Sequence, residues 1–260
     1  MSARIALALV LSGCGLAQAE SCKEPLGISL GKAQWNGWGN GPTQRRFQSA
    51  AGAGLTAKTV SGLKLKWAFG FPGATAAHGQ PTIAGKALFV GSTDGTVYGL
   101  GADSGCESWK FKADAPVRTA ISVGKLRDRW TLYFGDAQGS AYAIDAAAGT
   151  LLWKRRLDPH AGARITGAPT LVGGRLYVAV SSTEEGLAAN PQYPCCSFRG
   201  SLSALDAATG EVIWKSYTIS EEPKPVRQNK AGVQLSGPSG AAVWSAATVD
   251  VQGGKGFVTT

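Results

Sequence analysis

The 260-residue chain is 44% hydrophobic and 17% charged, carries 36 glycines and has a formal net charge of +9. This is an ordinary globular composition, rich in turns and long enough for a sizeable core. With only His78 and His160, no Cys-x-x-Cys-His and no later stretch of about twenty apolar residues, it excludes a His-built metal site, covalent haem and a membrane-spanning helix. The basic residues are scattered, as at Arg45-Arg46, Lys110, Lys112 and Arg155-Arg156, without a dense run or a nucleic-acid-binding motif. The excess charge therefore reads as solvated surface that suits an anionic ligand or an acidic protein partner, with no nucleic acid.

Residues 1–19 read as an export signal. Arg4 supplies a positive start, Ile5 to Leu11 a short apolar core, and Ala17-Gln-Ala19 a small-residue cleavage site. Leu11-Ser-Gly-Cys14 also resembles a lipoprotein box, so a lipid anchor on Cys14 stays open beside free cleavage. Either way the chain is exported, into an oxidising compartment where Cys22, Cys106, Cys195 and Cys196 form an even set.

After an irregular lead-in, Trp35 to Gly41 is dense in turn glycines. Val60 to Phe69 alternates apolar and polar residues, which predicts a half-buried strand. A repeat follows. Phe89 to Trp109, Tyr133 to Trp153 and Arg199 to Trp214 each carry a turn glycine, a short alternating strand, a second glycine and a tryptophan four residues later. The Trp67–Trp109–Trp153–Trp214 steps are 42, 44 and 61 residues. A unit of about 40–45 residues built this way predicts β-propeller blades, with the tryptophan capping the seam between them. Residues 20–260 thus read as all-β and as a partial propeller, with three clear blades, pieces of a leading one and the start of another at Ala241 to Ser245.

The third repeat departs from the others. It gains a loop that carries Glu184-Glu185 and the adjacent pair Cys195-Cys196, followed by Arg199-Gly200. A repeat that gains a loop, two carboxylates and a Cys-Cys step marks the candidate site. Two neighbouring cysteines start closer, at about 3.8 Å between Cα atoms, than the roughly 4.4–6.8 Å usual for a disulfide. Joined, they make a tight, flat ring. Separate bridges involving Cys22 and Cys106, or free thiols, stay open.

The repeat Leu205 to Trp214 resembles the tryptophan-docking blades of pyrroloquinoline quinone (PQQ)-dependent alcohol dehydrogenases, which are periplasmic eight-bladed propellers. Further segments match in order: Trp35 to Phe47, Leu63-x-Leu-x-Trp67, Ile165-Thr166-Gly-Ala-Pro169, the Cys-Cys step before Arg-Gly, and Ala242-Val-Trp244. Gly105-Cys106-x-x-Trp109, Val117-Arg118-Thr-Ala, Ser181-Ser-x-Glu-Glu185 and Gly237 to Trp244 are similar to the polyvinyl alcohol dehydrogenase subgroup. The resemblance covers roughly residues 33–260.

The resemblance implies PQQ and Ca²⁺ as cofactors, an alcohol as substrate and a c-type cytochrome as electron acceptor. It implies Arg118 and Arg199 as partners of the quinone carboxylates, Thr166 and Ser181 as hydrogen-bonding contacts, and Trp244 stacked on one ring face. It also implies a Cys195–Cys196 vicinal disulfide as a flat platform, Glu184 as the calcium ligand, with Glu185 second to it, and a rim contact at His78. In better-known members the Cys pair sits one blade earlier, where this chain has Ala115-Pro116, and Ala242 stands in place of a Thr. The family's Asn calcium ligand and catalytic Asp are expected after Thr260. A non-enzymatic propeller of outer-membrane protein assembly shares the blade repeat and is the alternative. It needs neither Glu184 nor the Cys pair nor Trp244.

Overall fold

The computed structural model describes residues 20–31 and 34–260. The expected signal, residues 1–19 with Cys14, lies outside the described residues. Strand β1 (Gln34–Trp35) leads into β2 (Thr82–Ala84), β3 (Ala87–Gly91), β4 (Thr96–Gly101) and β5 (Glu107–Lys112), paired antiparallel in chain order. The second sheet is β6 (Ser122–Leu126), β7 (Arg129–Gly135), β8 (Ser140–Asp145) and β9 (Leu151–Arg156). The third joins β10 (Ala163–Arg164), β11 (Thr170–Val172), β12 (Arg175–Ser182), β13 (Ser201–Asp206) and β14 (Val212–Tyr217). Two hairpins follow, β15 (Lys224–Gln228) with β16 (Gln234–Gly237) and β17 (Thr248–Asp250) with β18 (Lys255–Phe257). The first three sheets are the blades, and the last hairpin begins another.

Apolar residues from facing blades fill the seams. Phe89, Trp109, Ile121, Phe134 and Tyr142 share one buried cluster between blades 1 and 2. Tyr133, Ala143, Ile165, Val178 and Leu205 share the next, between blades 2 and 3. Each seam closes with the same device. The indole N–H of Trp67 donates to the Ala102 carbonyl at 3.1 Å, that of Trp109 to Ala146 at 3.0 Å, and that of Trp153 to Ala207 at 3.0 Å. Beneath each ring lies a glycine with positive φ: Gly105, Gly149 and Gly210. A Cβ there would sit 2.5–2.6 Å from the ring, so both the backbone angle and the contact demand glycine.

A second device links the blades at their first strands. The Thr82 hydroxyl donates to the Ile121 carbonyl, the Ser122 hydroxyl to Pro169, and the Thr170 hydroxyl to Ala247 at 2.8 Å. Each acceptor immediately precedes the hydroxyl residue of the following blade. The segment 36–44 crosses this row. Asn36 exchanges two hydrogen bonds with Val123, Gly37 N donates to the Thr82 hydroxyl, and Pro42 O accepts from Val249 N.

The strand expected over Val60–Phe69 is not formed. Val60–Gly62 is a single 3₁₀ turn, and no strand pairs with residues 63–69 among the described residues. Leu65 is 85% exposed. Alternation specifies two faces, but a strand also needs a neighbour to receive its backbone groups. Only Trp67 and Phe69 of this stretch are docked, Phe69 against Phe71 and Tyr98.

Candidate functional site

Four residues before the first strand of successive blades stand His78, Arg118, Thr166 and Trp244. They precede Thr82, Ser122, Thr170 and Thr248 by the same spacing. Backbone bonds fix this station alike: Val117 N donates to Ser92 O, Ile165 N to Asp136 O and Val243 N to Val180 O. Two residues further on, Ala120, Ala168 and Ala246 are buried against one another, so these segments converge at small residues. The repeat therefore presents an imidazole, a guanidinium, a hydroxyl and an indole from equivalent positions.

Thr166, Ser181 and Trp244 are joined directly. The Thr166 hydroxyl donates to the Trp244 carbonyl at 2.9 Å and lies 3.0 Å from the Ser181 hydroxyl, which itself donates to Arg164 O at 3.1 Å. Two hydroxyl protons are shared among three possible acceptors, so one contact is without a proton at any moment and the hydroxyls can reorient; Thr166 is the partly exposed one of the two. The Trp244 side is 39% exposed, and Arg118 is exposed without a protein partner among the described residues. His78 is exposed as well.

Both disulfides are closed, Cys22–Cys106 and Cys195–Cys196. The first ties the arm before blade 1 to β5, beside the bridge between Ser21 and Glu107. The second is half-buried and preceded by a backbone that pairs with residue 236: Ser236 N donates to Cys195 O at 2.9 Å and Cys196 N to Ser236 O at 3.2 Å. Gly240 N then donates to Phe198 O at 2.7 Å. The Cys pair is thus coupled to Trp244 through the segment 236–244. Among the described residues no hydrogen bond joins it to Thr166, Ser181 or Trp244.

Arg199 and Glu184 have other partners than those expected. The Arg199 guanidinium lies 3.9 Å from the Tyr217 ring centroid, donates to the carbonyls of Ile219, Ser220 and Glu221, and faces Glu222 at 3.6 Å. One nitrogen, Nη1, makes all three carbonyl contacts, so the turn after β14 orients the guanidinium through that nitrogen. Glu184 opens the short helix α2 (Glu184–Leu187) and is 3% exposed. One oxygen accepts from Ser197 N at 2.8 Å and the Tyr193 hydroxyl at 3.1 Å; the other accepts from Phe198 N at 2.8 Å. His160 Nε2 lies 3.3 Å from the first oxygen and 3.2 Å from the Ser197 hydroxyl. Burial, the Glu184 charge and this hydrogen bond push the Tyr193 phenol up, keeping it a donor.

Ca²⁺ takes a shell of oxygen acceptors. Around Glu184 the neighbours present N–H and O–H groups instead, and among the described residues no cluster of three His, Cys, Asp or Glu side chains forms. The groups around Glu184 are hydrogen-bond donors and do not by themselves supply a calcium shell. Glu185 is exposed. The donors His160, Tyr193 and Ser197 have no local sequence signal; they meet Glu184 only because the loop folds back on the preceding blade connection.

Residues 31–226 match the family described as outer membrane protein assembly factor BamB, one of the PQQ-type repeat families. The chain is 46% identical over 231 residues to a polyvinylalcohol dehydrogenase of a Pseudomonas species, covering 87% of this chain and 36% of that protein. It is 41% identical over 245 residues to the polyvinylalcohol dehydrogenase of Sphingopyxis sp. strain 113P3, covering 92% and 37%. It therefore spans about a third of the length of the curated relatives it matches. The crystal structure of quinohemoprotein alcohol dehydrogenase from Comamonas testosteroni superposes with a TM-score of 0.68 at 19% identity, covering 87% of this chain and 35% of that one.

Proposed function

Since the chain belongs to the PQQ-type propeller-repeat family and shares 46% and 41% identity with polyvinyl alcohol dehydrogenases, we propose that it serves a PQQ-dependent alcohol dehydrogenase of that kind. It acts after export to the periplasm, on a secondary or polymeric alcohol, with a c-type cytochrome as electron acceptor. Eight blades complete the ring in this reading. No helix among the described residues is long and apolar enough to cross a membrane.

The observation that carries the reading is the station shared by Arg118, Thr166 and Trp244. A purely structural repeat would repeat one residue there; this chain varies it into a cation, a hydroxyl and a flat indole. That set fits a flat quinone bearing carboxylates. The Arg118 guanidinium would bind a carboxylate bidentately, and the Trp244 face would cover the ring. Thr166 and Ser181 would orient its oxygens by turning a hydroxyl proton from the Trp244 or Arg164 carbonyl toward them, and Cys195–Cys196 would add a rigid platform beside it. When bound, PQQ supplies the two-electron acceptor for an alcohol hydride. Ca²⁺ belongs to the family resemblance, and no step is assigned to it because the groups beside Glu184 are hydrogen-bond donors and not further oxygen ligands.

A scaffold in outer-membrane protein assembly is the second reading, and the family's description favours it. A PQQ titration of the whole protein, followed by tryptophan quenching and dye-linked alcohol oxidation, separates the two. Saturable binding that Arg118→Ala and Trp244→Ala each weaken by about tenfold or more supports the dehydrogenase. Absence of PQQ binding at any calcium concentration overturns it in favour of the scaffold.

A further inference from the structure

We propose that Glu184 is a metal-independent clasp that anchors the 183–200 connection, and with it the Cys195–Cys196 pair, to blade 3. The inference goes beyond the quinone reading and gives this residue a role that needs no metal.

The chain's own repeats supply the argument. In every blade, a carboxylate in the connection between second and third strands holds that connection through hydrogen bonds. In blade 1, Asp94 accepts from Thr96 N at 2.9 Å, from the Thr96 hydroxyl at 2.7 Å and from Lys112 at 3.1 Å. In blade 2, the buried Asp136 accepts from Gln138 N and Ser140 N, both at 2.9 Å, and from the Tyr142 hydroxyl at 2.8 Å. In blade 3, Glu184 accepts from two backbone N–H groups and the Tyr193 hydroxyl, the same set as Asp136. The blade 3 connection is longer, and the acid has one more methylene and lies further into the loop. It performs the task of its counterparts.

His160 completes the shell. Its Nδ1 accepts from Gly162 N at 3.0 Å, which places the ring proton on Nε2, facing Glu184 and Ser197. Four donors converge on a carboxylate that is 3% exposed. Every donor in this shell has its acceptor without a cation, and removing the carboxylate would leave the Ser197 and Phe198 amides without theirs. The backbone it holds, residues 197 and 198, directly follows the Cys pair.

Hydrogen exchange of the EDTA-treated whole protein, without PQQ, tests this. The Ser197 and Phe198 amides should exchange slowly in the metal-free protein and be unchanged by millimolar Ca²⁺. Glu184→Ala should speed both by about tenfold or more, as loss of roughly 1.4 kcal/mol implies. Glu184→Gln, which retains one acceptor oxygen, should fall between. Tyr193→Phe should accelerate them less while leaving the carboxylate in place, which keeps the test open if Glu184→Ala fails to fold. Amides of β8 serve as the folding reference and should not change. Fast exchange in the metal-free protein that slows only with Ca²⁺ would overturn the clasp, as would exchange indifferent to Glu184→Ala. Neither result depends on PQQ binding, so failure of the clasp and failure of the dehydrogenase reading are distinguishable.

Discussion

Blades 1 and 2 differ from blade 3 in one connection and one face. Blade 2 passes from its second to its third strand through residues 136–139, whereas blade 3 uses 183–200 for the same step. Blade 2 is enclosed by neighbours on both sides, and Trp153 is docked on Gly210. In blade 3 Trp214 is 40% exposed, with Tyr177 at 6.1 Å as its ring neighbour. The lesson is a division of labour. Where the repeat is obeyed, residues stabilise seams. Where it is stretched, the chain gains polar groups that seam-building does not require.

The two disulfides sharpen that contrast most. Cys22–Cys106 closes a sequence separation of 84, so removing it as Cys22→Ser with Cys106→Ser should cost roughly 4 kcal/mol in the chain-entropy account. Cys195–Cys196 closes almost no loop, and Cys195→Ser with Cys196→Ser should cost only about 1 kcal/mol. Denaturant unfolding under non-reducing conditions gives both values. Equal losses would break the division between scaffold and site.

The tryptophans come next. Trp153→Ala removes a ring from the blade 2–3 seam and one of the two donors to the Ala207 carbonyl, which keeps the Tyr133 hydroxyl, for an expected loss of about 3 kcal/mol. Trp214→Ala should lose about 1 kcal/mol or less in the 260-residue chain, where the ring is 40% exposed, and more, toward the Trp153 value, where a further blade covers it. Urea midpoints at constant m-value report the difference.

The smallest effect lies in blade 1. Burial raises the Asp94 carboxyl, but hydrogen bonds from Ser92, Thr96 and Lys112 outweigh it and hold the group below its ordinary value of 3.8. A depressed folded value gives stability that is present above pH 3.8 and lost as pH falls through the folded value. Asp94→Asn should therefore cost at most about 1 kcal/mol at neutral pH, and the penalty should shrink on acidification. A penalty that grew below pH 4 would contradict the assigned sign.

Much of this architecture is legible in the sequence because a propeller repeats its constraints. Trp67, Trp109 and Trp153 and their glycines recur at a nearly constant step, and each recurrence is the same local physics. The hydroxyl row at Thr82, Ser122 and Thr170 emerges only from the structure, because a single Ser or Thr carries no signal of the carbonyl it will meet. Residues 63–69 are not, because their alternation records which side chains face outward and says nothing about a partner strand. The loop partners of Arg199 and Glu184 are hidden for a related reason. Residue type and motif position identify a guanidinium or carboxylate able to bind a ligand, while the carbonyls of 219–221 and the amides of 197–198 that occupy them come from loops whose return path no local pattern specifies.

The hydroxyl row also gives the molecule a direction. Each blade offers a hydroxyl donor on one side and, on the other, the carbonyl just before its own hydroxyl residue: Ile121 receives Thr82, Pro169 receives Ser122 and Ala247 receives Thr170. A blade is therefore a polar coupling unit with unlike ends, and neighbours can join in only one orientation. Adding or deleting one whole unit preserves every coupling, whereas inverting one would set a carbonyl against a carbonyl. Evolution by duplication of entire blades is the change such an arrangement tolerates best.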